Sequence, residues 1–440
     1  MKSNKEIFQV TYPIFLTLIA QNIINVTDTA FLGRVGEVAL GASAIGGVFY
    51  IAVYMVGFGF SQGAQILIGR RNGEKNYAAI GPIFNASLVF NFLLALAIFI
   101  ASFLFIPQIM KYLVSSQHIY DATIEFLNWR IYGFFFAFLN TVFRAFFVGI
   151  TRTRVLTVSA IITAFTNVLF GYLLIFGKFG FPEWGIAGAG VASVLAEFVS
   201  LVYLIIITLK QKDKHVFGLF SFRKIEWVTI RKILELSIFI MFQYFISIST
   251  WFMFFIFIER LGERQLAVTN IGRSLYILLM IPGSALSTTI NTMVSNMIGE
   301  GHKEQVIPFM KKVTGITLAI VLPMMVFTFA FPQLFARIYT DDAGLILACV
   351  PTLRVVSVAM MFCAVGSIIF NTISGTGNTR TAFVIEFFTL FFYLGYVYYT
   401  AIILRTSVEI VWMSEFVYWI IIGGFGLLYL MKGNWRTKEI

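Results

Sequence analysis

The sequence predicts an all-α polytopic membrane protein with twelve transmembrane helices in two pseudo-symmetric six-helix bundles. First, 59% of the 440 residues are hydrophobic and only 12% are charged, whereas a soluble chain carries roughly 25% charged residues. Second, the apolar runs reach the length of about 20 residues that crosses the hydrocarbon core of a bilayer. Third, several short motifs occur twice in the same order, about 226 residues apart, as expected of a duplicated membrane protein.

The helices are placed by cutting the sequence at its charged and Gly/Pro-rich breaks. The longest connection is polar and basic, so we expect an N-terminal bundle at 1–209, a cytoplasmic linker at 210–229 and a C-terminal bundle at 230–440. The predicted spans are 10–32, 43–68, 80–107, 122–150, 155–177, 185–209, 230–258, 265–298, 307–332, 345–372, 380–404 and 408–431.

The duplication is visible in paired glycine and basic motifs. Because each copy carries six spans, both copies enter the membrane in the same direction and are related by an axis along the membrane normal. A cleft between two such bundles suits a transporter that opens first to one side and then to the other. The matches are Gly36-Glu37 with Gly262-Glu263, Gly149, Thr153 and Arg154 with Gly375, Thr379 and Arg380, and, at an offset of 228, Gly73 and Lys75 with Gly301 and Lys303.

The formal net charge of +11 does not indicate nucleic-acid binding, because the basic residues are spread over the connections. With both termini placed inside, 21 of the 32 Lys and Arg residues fall in inside connections, seven in outside connections and four, Arg130, Arg144, Arg273 and Arg354, within spans. Cytoplasmic loops carry such an excess. We therefore expect a multi-pass plasma-membrane protein, in a bacterium the inner membrane, with both termini in the cytoplasm.

Asp28 is the first candidate for chemistry, because a carboxylate within a span is costly and marks an ion or proton site by default. Gln21 and Asn25 precede it by seven and three residues, so all three share one face of a helix. This polar stripe should face a cavity, and we expect Gln21, Asn25 and Asn140 to line the path of the substrate. The alternative is a structural carboxylate bonded to neighbouring helices, or one that lies near the outer headgroups.

Glu197 is the second candidate, in the middle of the sixth predicted span. Ser193 precedes it by one helical turn, and Asn167 in the preceding span could approach both residues. A cluster of Asp, Asn, Ser and Glu oxygens suits a proton relay or a hard cation such as sodium, with Asp28 and Asn167 as ligands in the sodium case. The alternative is hydrogen bonding between helices, which is common in membrane bundles.

The remaining charges give weaker indications. Buried pairs or side chains that reach for the headgroups explain most charges within spans. No Walker A loop occurs, and the three histidines lack metal-ligand spacing, so neither an enzyme nor a bound cofactor is expected. Transport energy must then come from an ion gradient, unless the path is passive. These other charges within spans are Glu386, Glu409, Glu415, Arg144, Arg273 and Arg354.

Several stretches together resemble the multidrug and toxic compound extrusion (MATE) family, and the resemblance is closest to its DinF-like branch. The residues 28–36 (DTAFLGRVG) resemble the signature of the family's first span. The loop at 69–75, the G-x-x-x-T-R elements at 149–154 and 375–380, and the stretch 185–193 (GIAGAGVAS) also fit. The resemblance covers essentially the whole chain.

The resemblance implies an antiporter that expels small organic, often cationic, compounds in exchange for protons or sodium, as a monomer in contact with membrane lipid. Asp28 matches the coupling aspartate of the family and Asn167 an asparagine of the same network, while Ser193 stands where threonine is usual. Acids of relatives are replaced by Gly171, Ser247 and Cys363. Coupling should therefore centre on the N-terminal bundle, with Glu197 as a possible replacement for the acid missing at 171.

Two rival functions stay open at this point. A lipid-linked saccharide flippase of the same superfamily would need a large cationic groove for phosphate headgroups. The arginines within spans allow this, whereas twelve spans and the stretch around Asp28 disfavour it. A membrane receptor that does not transport is the second rival, and the duplicated architecture disfavours it.

Overall fold

The computed structural model describes residues 2–114, 116–211, 213–221 and 227–437, and these residues form helices and connections without any strand. Short 3₁₀ segments precede α3 and α11, and a π-helical turn, Tyr399–Ile403, extends α14. The α-helices are α1 (Asn4–Val35), α2 (Glu37–Gly73), α3 (Ile80–Leu113), α4 (Gln117–Arg130), α5 (Gly133–Gly149), α6 (Arg154–Phe176), α7 (Gly185–Lys210), α8 (Lys214–Phe217), α9 (Trp227–Glu259), α10 (Glu263–Gly299), α11 (Val306–Ala330), α12 (Pro332–Ala336), α13 (Ala343–Gly375), α14 (Thr379–Tyr398), α15 (Val408–Trp412) and α16 (Ser414–Lys432).

The twelve predicted spans are confirmed in position. Eleven helical segments of the described chain are long and apolar enough to cross a membrane. Taken together as one span, α4 and α5, which are bent by 52°, pass the same test and bring the number to twelve. The predicted single helix over 122–150 is broken in the structure at residues 131–132. The predicted linker at 210–229 lies partly outside the described residues, and the predicted domain boundaries stay a prediction.

The backbone conformation shows the duplication more clearly than the sequence does. Four residues with positive φ in the first copy have a counterpart with positive φ 226 residues later, so these left-handed turns occur in both copies. Gly301 therefore corresponds to Lys75, and the match of Gly73 with Gly301 at an offset of 228 was wrong. The paired residues are Gly36 and Gly262, Lys75 and Gly301, Thr151 and Gly377, and Phe179 and Arg405.

The helices group into two compact units. The N-terminal unit is Tyr12–Met241, and the C-terminal unit is Met1–Thr11 together with Phe242–Ile440. The start of α1 belongs to the C-terminal unit through polar contacts: the hydroxyls of Thr11 and Thr289 are 2.9 Å apart, and Lys2 pairs with Glu300 at 2.7 Å.

Repeat-related glycines allow the same close helix contact within each unit. A Cβ atom added at Gly149 would lie 2.7 Å from the side chain of Ile68 and 3.2 Å from the carbonyl oxygen of Gln65. One added at Gly375 would overlap the backbone of Asn291, the residue 226 positions after Gln65. Small residues permit such close approach of membrane helices, which explains why both copies kept glycine here.

Candidate coupling site

Asp28 lies on α1, whose unbroken helical course from Asn4 to Val35 places Gln21, Asn25 and Asp28 on one face as predicted. The Asp28 side chain is half-buried. It faces the amide of Asn167 on α6, and it lies within the electrostatic field of the Arg130 guanidinium. A single carboxylate within a span thus has one polar and one cationic neighbour, both supplied by other helices of the N-terminal unit.

Asn167 and Ser193 connect α6 to α7 beside Asp28. The Asn167 amide nitrogen donates a hydrogen bond to the Ser193 hydroxyl at 3.2 Å. The Asn167 carbonyl oxygen is buried and has no hydrogen-bond partner among the described residues. The structure therefore brings together three of the four residues predicted for ion coupling, and it leaves one oxygen with an unused lone pair.

Glu197, the fourth predicted residue, forms a buried ion pair with Arg130 at the end of α4. The guanidinium donates to both carboxylate oxygens, at 2.6 and 3.0 Å, and the two side chains are only 12% and 18% exposed. The Tyr50 hydroxyl of α2 donates to the same carboxylate, at 3.0 and 3.1 Å. A bidentate pair is the strong form of this interaction, so Glu197 is firmly held by Arg130 and Tyr50.

Aromatic stacking fixes the position of Arg130. Its guanidinium carbon lies 3.5 Å above the centre of the Tyr50 ring, and Tyr50 itself stacks on Phe134 with ring centres 4.8 Å apart. The bend between α4 and α5 places Gly133 directly against this cluster, where a Cβ would lie 2.6 Å from a Glu197 oxygen. Only glycine leaves room for the ion pair at that position.

The residues predicted to line the substrate path separate into two groups. The Asn140 amide donates to the backbone carbonyl of Glu197 at 2.9 Å, which ties it to the coupling cluster. Gln21 and Asn25 are exposed on α1, and the described residues offer their side chains no hydrogen bond. At Gly171, the family resemblance leads us to expect an acid. A Cβ atom added there would lie 3.5 Å from the ring of Phe31, so this position faces an apolar ring and supplies no carboxylate.

Two members of the cluster, Tyr50 and Arg130, were not predicted. Arg130 was recognised as a charge within a span, but no partner could be assigned to it. A signal was present for Tyr50, because Tyr276 repeats it 226 residues later. The other arginines within spans, Arg144, Arg273 and Arg354, lie 5.2–5.5 Å from the centres of phenylalanine rings, and Glu386 and Glu415 are buried in the C-terminal unit.

The described residues contain no cluster of three or more His, Cys, Asp or Glu side chains that could hold a metal ion. The polar oxygens beside Asp28 are instead few and of mixed type. Such a set can accept a proton or offer a few oxygen ligands to a cation.

Comparison with known proteins gives consistent matches over the whole chain. The family model MatE matches residues 13–173 and 240–399, two segments that correspond to the two copies of the repeat. The chain is 25% identical to a probable multidrug resistance protein NorM of Thermotoga maritima, over 99% of this chain and 94% of the relative. It is 23% identical to a protein of the same name from Shewanella oneidensis, over 89% of this chain and 84% of the relative.

Solved structures share the fold. A multidrug resistance MATE family transporter of the MOP superfamily, in an outward-facing conformation, superposes with a TM-score of 0.91 at 17% identity, over 99% of this chain and 97% of the other. A MOP superfamily transporter from Pyrococcus furiosus, described as having a binding pocket of reversed polarity, gives a TM-score of 0.90 at 17% identity over the same shares.

The apolar spans, together with a family model that matches both copies of the repeat, define a multi-pass membrane transporter. Since the family model covers more than half of the chain, in both copies, the protein belongs to the MATE (MatE) family. The assignment to the DinF-like branch stays a prediction.

Proposed function

We propose that the protein is a multidrug efflux antiporter that exports small organic, often cationic, compounds in exchange for protons, with Asp28 as the coupling group. The observation that carries this proposal is the position of Asp28 within a span, against Asn167 and in the field of Arg130. The names of the bacterial relatives support the substrate class.

The charge balance of the cluster supports a protonation switch. Arg130 can neutralise one carboxylate, and Glu197 already holds it through two hydrogen bonds. With Asp28 ionised, two carboxylates share the single positive charge of Arg130, so the cluster has a net charge of −1 within the membrane, where charges are costly. Uptake of a proton or binding of a cationic substrate removes that charge, so the two compete for the same group, as antiport requires.

A proton fits this site better than sodium. Sodium would use Asp28, the free carbonyl oxygen of Asn167 and the hydroxyl of Ser193, but the acid of relatives is missing at Gly171. Hard cations need several oxygen ligands in the first coordination shell, and a proton needs one. Coupling to sodium is therefore the alternative that the transport experiment tests.

Transport by the purified protein in lipid vesicles tests the proposal. With a pH gradient and no sodium gradient, wild-type protein should drive efflux of an organic cation such as ethidium, whereas Asp28→Asn should abolish the pH-driven component. Asp121→Asn is the matched control, because Asp121 is exposed on α4 and its loss should leave efflux unchanged. Unchanged pH-driven efflux in Asp28→Asn contradicts the mechanism, and efflux driven only by a sodium gradient assigns sodium instead.

The proposed location is a bacterial inner membrane with both termini in the cytoplasm, which rests on the distribution of Lys and Arg over the connections. A flippase for lipid-linked saccharides receives less support, because Arg130 is neutralised by Glu197 and so adds little positive charge to a groove.

A further inference from the structure

A second pair of carboxyl groups is buried in the C-terminal unit. Glu386 on α14 and Glu415 on α16 are only 3% and 2% exposed. Glu386 accepts hydrogen bonds from the hydroxyl of Ser247 and, at 3.2 Å, from that of Tyr418. The second oxygen of Glu386 is buried without any hydrogen-bond partner among the described residues.

Glu415 is held entirely by aromatic side chains. Tyr276 donates to it at 2.8 Å, Trp419 at 3.2 Å and Tyr393 at 3.3 Å. The hydroxyl of Tyr418 lies within electrostatic range of both carboxyl groups. All of these donors are neutral, so the shell around each carboxyl group supplies hydrogen bonds but no compensating charge.

No cation balances these carboxyl groups. Neither glutamate forms an ion pair with a Lys, Arg or His of the described chain. The arginines of this unit's spans, Arg273 and Arg354, lie instead against Phe255 and Phe329. The titratable groups that face the pair are the tyrosines at 276, 393 and 418 and the thiol of Cys363 on α13, and all of them are neutral at neutral pH.

The repeat shows how this environment differs from that of the N-terminal unit. Tyr50 donates to Glu197, and its repeat mate Tyr276 donates to Glu415. Arg130, which neutralises Glu197, has Val356 as its counterpart 226 residues later, and Val356 is fully buried. The C-terminal unit thus has a tyrosine–carboxyl contact of its own, with a glutamate at another position of the repeat, because Glu197 corresponds to Gly423. It has no guanidinium at the position of Arg130.

From this we infer that Glu386 and Glu415 carry protons at neutral pH and form a proton-binding site of the C-terminal unit, distinct from the cluster around Asp28. A buried ion without a counter-charge is strongly disfavoured, and neutral donors offset only part of its desolvation cost. Protonation removes the charge, and the tyrosine hydroxyls can accept as well as donate. When Glu386 is protonated, its buried oxygen without a hydrogen-bond partner among the described residues carries no negative charge.

The ligand of this site is a proton and not a larger cation. Both carboxyl groups are almost fully buried. Glu415 is enclosed by its donors Tyr276, Tyr393 and Trp419, which are themselves at most 8% exposed. The inference rests on burial and hydrogen bonding. Only the role of this site in transport, where it would add exchangeable protons to that of Asp28, rests on the proposed function.

Infrared spectroscopy of the full-length protein in lipid tests this inference, because a protonated carboxyl group has a C=O stretch that an ionised one lacks. At neutral pH, Glu386→Gln and Glu415→Gln should each remove one component of that band. Glu235→Gln, at an exposed position of α9 (63%), should leave the band unchanged. A wild-type band to which neither glutamate contributes overturns the inference.

The variant Tyr276→Phe provides a second test in case the glutamine variants do not fold. This change keeps both glutamates and removes one hydrogen bond to Glu415, so the Glu415 component should move to higher frequency without losing intensity. An unshifted band overturns the assignment to Glu415. Failure of Asp28→Asn to affect efflux would overturn the proposed function but would not change the infrared result, so the two failures are distinguishable.

Discussion

At the scale of single residues, Arg130 is the centre of the N-terminal cluster. It forms a bidentate pair with Glu197, stacks on Tyr50 and acts on Asp28 through its charge. The single positive charge of Arg130 thus acts on two carboxyl groups, in a different way on each. Glu197 is held by its hydrogen bonds to Arg130 and Tyr50, while Asp28 has the amide of Asn167 as a hydrogen-bond partner. We therefore propose Asp28 as the group that changes its charge.

We predict that Glu197→Gln destabilises the protein by about 3–5 kcal/mol, because removal of one partner leaves the other charge buried and unpaired. The double change Arg130→Gln with Glu197→Gln should cost less than the single change, since no bare charge is left. Thermal unfolding of each variant in detergent measures the difference.

The exposed pair of Arg231 and Glu235, at 82% and 63% exposure, provides the control for that series. Glu235→Gln should change stability by less than about 1 kcal/mol, as surface ion pairs do. A double variant at Arg130 and Glu197 that is less stable than Glu197→Gln would show that the pair contributes more than charge compensation.

At the scale of elements, the sequence predicted where the spans lie, but it did not predict which side chains of different helices contact one another. Hydrophobicity is a local sum, so runs such as 185–209 could be located within a few residues of α7 (Gly185–Lys210). The break between α4 and α5 carries no proline and depends on packing around Gly133. The pairing of Arg130 with Glu197 depends on the rotation of two helices 67 residues apart in sequence, which a periodic pattern does not fix.

The close contact at Gly375 gives a prediction for helix packing. Gly375→Ala should destabilise the C-terminal unit by about 1–3 kcal/mol, the usual cost of overpacking, because its Cβ would overlap the backbone of Asn291. Gly395→Ala on α14 is the matched control, since a Cβ there meets nothing within 4 Å and alanine favours a helix by roughly 0.5–1 kcal/mol. Equal melting temperatures for the two variants would contradict the contact.

At the scale of the whole molecule, a duplicated backbone carries two different sets of charges. The left-handed turns recur at a spacing of 226, so both copies keep one folding plan. Asp28 has Phe254 as its counterpart, a fully buried ring that packs on Trp412 and Tyr393. The N-terminal unit thus places acids beside a guanidinium, whereas the C-terminal unit places acids among aromatic rings.

The orientation of the chain in the membrane is the last prediction, and it concerns every connection at once. If both termini are cytoplasmic, the connection that holds Glu304 lies inside and the one that holds Asp341 lies outside. Both side chains are exposed, while the native thiols of Cys349 and Cys363 are 0% and 3% exposed and should give little background. In intact cells, an impermeant maleimide should therefore label Asp341→Cys and spare Glu304→Cys until the membrane is opened. The reverse pattern would place the termini outside and contradict the proposed orientation.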